Sequence, residues 1–96
     1  MTVRYAEAVV AASHIVHDQV WFRHWREGQR ELRPGVVIDV IRQVRVRARI
    51  NEEDLPKELY VLLQAARCAR GEHATVPLYE LVMALRAVYS PPSDES

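Results

Sequence analysis

His14, Asp18, Trp21 and Trp25 follow one another at spacings of four, three and four residues. On a helix this places all four on one face, with His17 at its edge. Imidazole and carboxylate one turn apart can form two arms of a metal clamp. Zinc needs three or four ligands, however, and no third is fixed by spacing. Cys68 and His73 could be recruited only by the fold. Paired indoles, by contrast, are favoured anchors for a protein partner. The chemistry expected of this face is protein contact through His14, His17, Trp21 and Trp25, with no metal or other cofactor.

Catalytic constellations are sparse. Ser13 adjoins His14, but neighbouring side chains on a helix diverge. Three glycines in the whole chain leave no Gly-rich phosphate loop. Arg67 and His73 stand at an R-x5-H spacing that resembles the motif of HEPN ribonucleases. With 12 arginines and 4 histidines in the chain, about 1.5 pairs at an allowed spacing arise by chance, so no catalytic role is carried over. The chain is not expected to be an enzyme.

Charge is distributed unevenly. Residues 23–49 hold eight arginines against Glu27, Glu31 and Asp39, a balance of +5. Residues 50–96 balance to −4 and residues 1–22 to −1, which closes the formal net charge at +0. Arg42, Arg45, Arg47 and Arg49 form the densest part of the basic stretch, where nucleic-acid phosphate could be met. The same stretch could face the acidic half of a second copy. Abundance of arginine over lysine is a coding bias and does not itself point to phosphate.

The elements that position these residues are separated by Pro34-Gly35, Asn51 to Pro56, Gly71 to Pro77 and Pro91-Pro92. Tyr5, Val9, Ala12, Val16 and Val20 make a helical stripe on the side away from the tryptophans. Leu59, Leu62, Leu63, Ala66 and Ala69 make a second, with Asn51-Glu52-Glu53-Asp54 as cap and acidic first turn and Arg67 and Arg70 near the C-terminus. Cys68 is expected beside that stripe as a small packing residue. Leu78, Leu81, Val82, Leu85, Val88 and Tyr89 make a third, with Thr75 as a candidate cap. Met83, Ala84 and Ala87 widen its apolar surface, so that helix should be largely buried.

Residues 36–50 carry two periods. Val37, Val40, Ile41, Val44 and Ala48 fit a helix, whereas Val44-Arg45-Val46-Arg47-Ala48-Arg49-Ile50 alternates as a strand does. The expected fold is an all-α, small four-helix domain over residues 1–90, followed by a disordered tail at 91–96. The alternative puts a β-strand at 44–50 before two helices. In that order the chain resembles a ribbon-helix-helix DNA-binding domain, which implies a dimeric ribbon with Arg45, Arg47 and Arg49 facing bases. Ala66-x2-Ala69, His73-x2-Val76 and Leu81-x3-Leu85 resemble one half of the Clp chaperone N-terminal repeat, without its second copy.

The 96 residues suit one domain; they are 49% apolar and 27% charged, the proportions of a globular protein. One cysteine excludes an internal disulfide. No apolar run nears the roughly 18 residues of a membrane span, and the first residues lack a leader pattern. A cytoplasmic location without membrane contact is expected. The leading expectation is a non-catalytic protein–protein interaction module that forms a homo-oligomer, in the simplest case a homodimer. The rival is a small nucleic-acid-binding regulator that uses residues 42–49.

Overall fold

The structure, a computed structural model, describes residues 3–89, with side chains from residue 7 onward. The expectations for Tyr5 and for the tail at 91–96 lie outside the described residues. The chain begins with α1 (Val3–Val20), which continues into a π-turn (Trp21–Trp25). A two-residue strand β1 (Glu31–Leu32), α2 (Pro34–Ala48) and a 3-10 turn (Glu52–Asp54) follow. The remainder is α3 (Lys57–Cys68), a second short strand β2 (Val76–Pro77) and α4 (Leu78–Tyr89). α1 packs against α2 and α4, and α3 packs against the same two, so the four helices close a ring around one core. The fold is all-α, as the sequence predicts. Among the described residues, no helix is long and apolar enough to cross a membrane.

α1 buries Val9, Ala12, Ser13, Val16, His17 and Val20. These positions recur at three and four residues, the spacing that keeps one side of a helix inward. Beyond Val20 the winding widens, and the Arg26 amide donates to the Trp21 carbonyl five residues back, at 3.0 Å. The helix stops at Gly28, whose φ of 86° is a left-handed conformation that a side chain would strain.

α2 settles the ambiguity at 36–50 in favour of the helix. Val37, Ile41, Val44 and Ala48 are buried at helical spacing, while Val46 is 60% exposed. A strand would have put Val44, Val46 and Ala48 on one face. The strand alternative at 44–50, and with it the ribbon-helix-helix order, is therefore corrected: Arg45 and Arg47 lie inside a helix and Arg49 caps it. Pro34 opens α2, where its fixed φ fits and its missing N–H is no loss. Arg49 closes it at φ 58°. The Arg49 amide donates to Val46 and the Ile50 amide to Arg45. That pair of bonds is a Schellman ending with arginine where glycine is usual.

α3 buries Leu59, Leu62, Leu63 and Ala66, and α4 buries Leu78, Leu81, Val82, Ala84 and Leu85. Both stripes match the periodicity except at Ala69, which lies past the end of α3 in an extended conformation and is only partly buried. Four local expectations are corrected. The run Glu52–Asp54 forms its own 3-10 turn, and Pro56 occupies the cap position of α3. Thr75 does not cap α4; its hydroxyl donates to Glu31 Oε1 at 2.8 Å. Cys68 is exposed, because nine residues at about 100° each carry it about 180° around the helix from Leu59. α4 is not buried all round either: Tyr79 is 62% exposed and Met83 43%.

β1 and β2 pair antiparallel, Glu31 opposite Pro77 and Leu32 opposite Val76. The Leu78 amide donates to the Arg30 carbonyl at 2.8 Å. This short ribbon ties the segment after the π-turn to the start of α4 and so fixes where the aromatic residues stand.

Candidate functional site

The C-terminal end of α1 and the π-turn carry a column of rings. Tyr89, from the last turn of α4, meets His14 edge-on with centroids 4.6 Å apart and His17 at 5.4 Å. His17 stacks beneath Trp21 at 6.1 Å, and Trp21 lies nearly parallel to Trp25, with 5.0 Å between centroids and 14° between planes. The Arg30 guanidinium covers Trp25 at 4.0 Å from its centroid and also donates to the Trp25 carbonyl. Phe22 stands alongside, with the Arg26 guanidinium over its ring at 4.8 Å. Offset rings and guanidinium caps at such separations attract beyond simple burial.

The π-turn explains why the two tryptophans differ in exposure. An α-helix would carry Trp25 about 40° past Trp21 after four residues. The wider winding turns less per residue, so Trp25 swings back toward the core. Trp25 is half-buried against the hydrophobic core, whereas Trp21 stays 41% exposed and Phe22 62% exposed.

The four residues predicted for the protein interface are thus brought together, in unequal roles. Trp21 is on the surface. His14 is exposed at the rim, 3.8 Å from the Asp18 carboxylate. His17 is buried: its Nδ1 lies 3.3 Å from Asp18 Oδ1, and its Nε2, like the Ser13 hydroxyl, is buried without a hydrogen-bond partner. It supports Trp21 from below and cannot itself be a contact surface. Phe22 and Arg30 also belong to the arrangement, as does Tyr89, which the sequence places on the apolar stripe of α4 and not at this site. The Trp21-Phe22 dipeptide is a readable signal for Phe22; Arg30 follows the π-turn by five residues, and Tyr89 comes from the far end of the chain.

Among the described residues no three His, Cys, Asp or Glu side chains gather as metal ligands. Arg67 and His73 are not assembled into a shared site. Arg67 grips Glu52 with two bonds of 2.6 and 2.7 Å, and His73 is 94% exposed beside Glu72. The Arg67 guanidinium holds the Glu52 carboxyl below the usual carboxylate range, against the opposing effect of partial desolvation.

Along α2, Arg42 and Arg45 stand three residues apart and share a side, Arg47 lies about 200° from Arg45, and Arg49 follows the helix end in a left-handed conformation. Arg42 pairs with Asp39 at 3.2 Å, and Arg45 lies within electrostatic reach of Glu52.

A second apolar feature lies between α3 and α4: a groove of about 510 Å³, lined by Val61, Leu62, Ala65, Met83 and Ala84 and rimmed by Lys57, Glu58 and Glu80. Val61 is 57% exposed there. A scan against protein-family models found no match to this chain, and searches of curated proteins and of solved structures found none.

Proposed function

We propose that this protein is a non-catalytic interaction module that self-associates through the aromatic surface at the end of α1. The observation that carries this reading is the exposure of Trp21 and Phe22, 41% and 62%, as adjacent residues of one turn. Both rings are held in place by neighbours: Trp25 stacks on Trp21, and Arg26 covers Phe22. Large aromatic side chains that are ordered before contact lose little freedom on binding, which is what makes them interface anchors. Sedimentation equilibrium from about 1 μM to 1 mM tests the reading, since that range corresponds to about 8 to 4 kcal/mol of association. Association weakened by Phe22→Ala supports it; a monomer throughout overturns it.

A second reading rests on the shared side of Arg42 and Arg45, with Arg49 just past the helix end. Such a helix end can lie along a phosphate backbone and exchange the Asp39 pairing of Arg42 for phosphate. Retention on DNA or RNA that falls steeply with salt, and falls further in Arg42→Ala/Arg49→Ala, supports this reading. Absent or salt-insensitive retention removes it.

A further inference from the structure

Resting on the self-association reading, we infer that the contact is head-to-tail: the Trp21-Phe22 turn of one copy seats in the α3–α4 groove of the next. The two surfaces are separate, since the groove is lined only by α3 and α4 residues. Each leaves apolar side chains in water, Trp21 and Phe22 on one, Val61 and Met83 on the other. Neither covers the other within one chain.

Charge selects between the two ways such surfaces can pair. The exposed Arg26 guanidinium lies over the exposed Phe22 ring. A symmetric contact centred on the Phe22 ring would bring the Arg26 guanidinium groups of both copies together, and like charges at an interface are strongly disfavoured. The groove presents Glu58 and Glu80 at its rim, against one lysine, Lys57. An arginine beside exposed aromatic rings and carboxylates beside an apolar groove are complementary in sign. The same polarity is written along the chain, +5 over residues 23–49 and −4 over residues 50–96. A second copy of this chain therefore supplies what each surface lacks.

Such a contact is heterologous. It leaves one free head and one free tail at the ends, so assembly continues past the dimer into open chains or closed rings. Growth of the mean mass with concentration is its signature.

Sedimentation equilibrium on the full chain, alone and in mixtures, tests the inference. The head variant is Trp21→Ala/Phe22→Ala and the tail variant is Val61→Glu; circular dichroism checks that each folds. Glu80→Lys, on an exposed side chain, serves as a second tail variant should Val61→Glu fail to fold. Wild type is expected to grow beyond a dimer, and each variant alone to lose roughly 30-fold or more in affinity. An equimolar mixture of folded head and tail variants is expected to regain wild-type affinity but stop at the dimer, because each copy keeps one competent surface. Tail variants that assemble like wild type, or a mixture that stays monomeric, overturn the head-to-tail contact while self-association through the aromatic turn still stands. A wild type that never associates overturns both.

Discussion

Glu52 and Arg67, fifteen residues apart in sequence, face each other through two bonds of 2.7 and 2.6 Å. They pin the 3-10 turn after α2 to the end of α3, and Gln64 adds a third donor to the same carboxylate at 3.4 Å. The folded Glu52 carboxyl is depressed, with the Arg67 hydrogen bond as the main cause. Its contribution to stability is therefore complete above the unfolded value of about 4.3 and is lost as pH falls through the lower folded value. Thermal midpoints of wild type and Glu52→Gln should differ by a constant amount at neutral pH and converge only below that range. A gap that persists unchanged to pH 2 would mean the pair is not its source.

Leu62→Ala and Leu81→Ala should each destabilise by roughly 2–4 kcal/mol, because both leucines are fully or nearly enclosed at the centre of their helices. Urea denaturation of both variants measures this. A loss below about 0.5 kcal/mol in both would contradict the core described for α3 and α4.

Arg49→Gly should stabilise the fold by roughly 0.5–1 kcal/mol. Arg49 holds φ 58° to end α2, a region that glycine enters without steric penalty and arginine does not. Part of the gain is offset by the greater freedom of glycine in the unfolded chain. Chemical denaturation gives the sign directly; a destabilised variant would show that the arginine side chain makes contacts that outweigh the strain.

What the sequence disclosed and what it hid follow from the range of the interactions. Leu59, Leu62, Leu63 and Ala66 declare their helix because burial repeats with the helical period over one continuous segment. The tryptophan face was legible for the same reason. Residues 44–50 were not, because alternation of arginine with small and β-branched residues satisfies two periods at once, and only the burial of Val44 and Ala48 without Val46 decides between them. The pairing of Leu32 with Val76 and the meeting of Glu52 with Arg67 join distant segments, and no local pattern encodes such a partner. The π-turn is hidden too. Its sequence, Trp21 to Trp25, looks like one more helical turn, yet the widening is what separates the two indoles into a half-buried one and an exposed one.

Cys68 should be interchangeable with serine. The thiol is exposed at the end of α3, so removing its apolar character takes nothing from the core. Cys68→Ser should shift stability by no more than about 0.5 kcal/mol, and a thiol reagent should modify native Cys68 without prior unfolding. Slow modification that tracks global unfolding would place the side chain in the core instead.

Trp21 and Trp25 should respond differently to truncation although they sit one turn apart. Trp25 packs against the core, lies under the Arg30 guanidinium and stacks on Trp21. Its removal strips the π-turn of its inner support and should destabilise the monomer by roughly 2–3 kcal/mol, below the range for a fully enclosed aromatic because the ring is only half-buried. Trp21 is exposed and adds two ring contacts, so Trp21→Ala should cost the monomer about 1 kcal/mol or less. The order should reverse for association. An exposed indole that becomes enclosed at an interface is a typical hot spot, and losing it should weaken the dissociation constant by roughly 30-fold. Denaturation midpoints and sedimentation on both single variants separate the two effects. If Trp21→Ala collapses the fold as Trp25→Ala does, the π-turn is one cooperative core element; if it leaves association unchanged, the exposed ring is not the anchor.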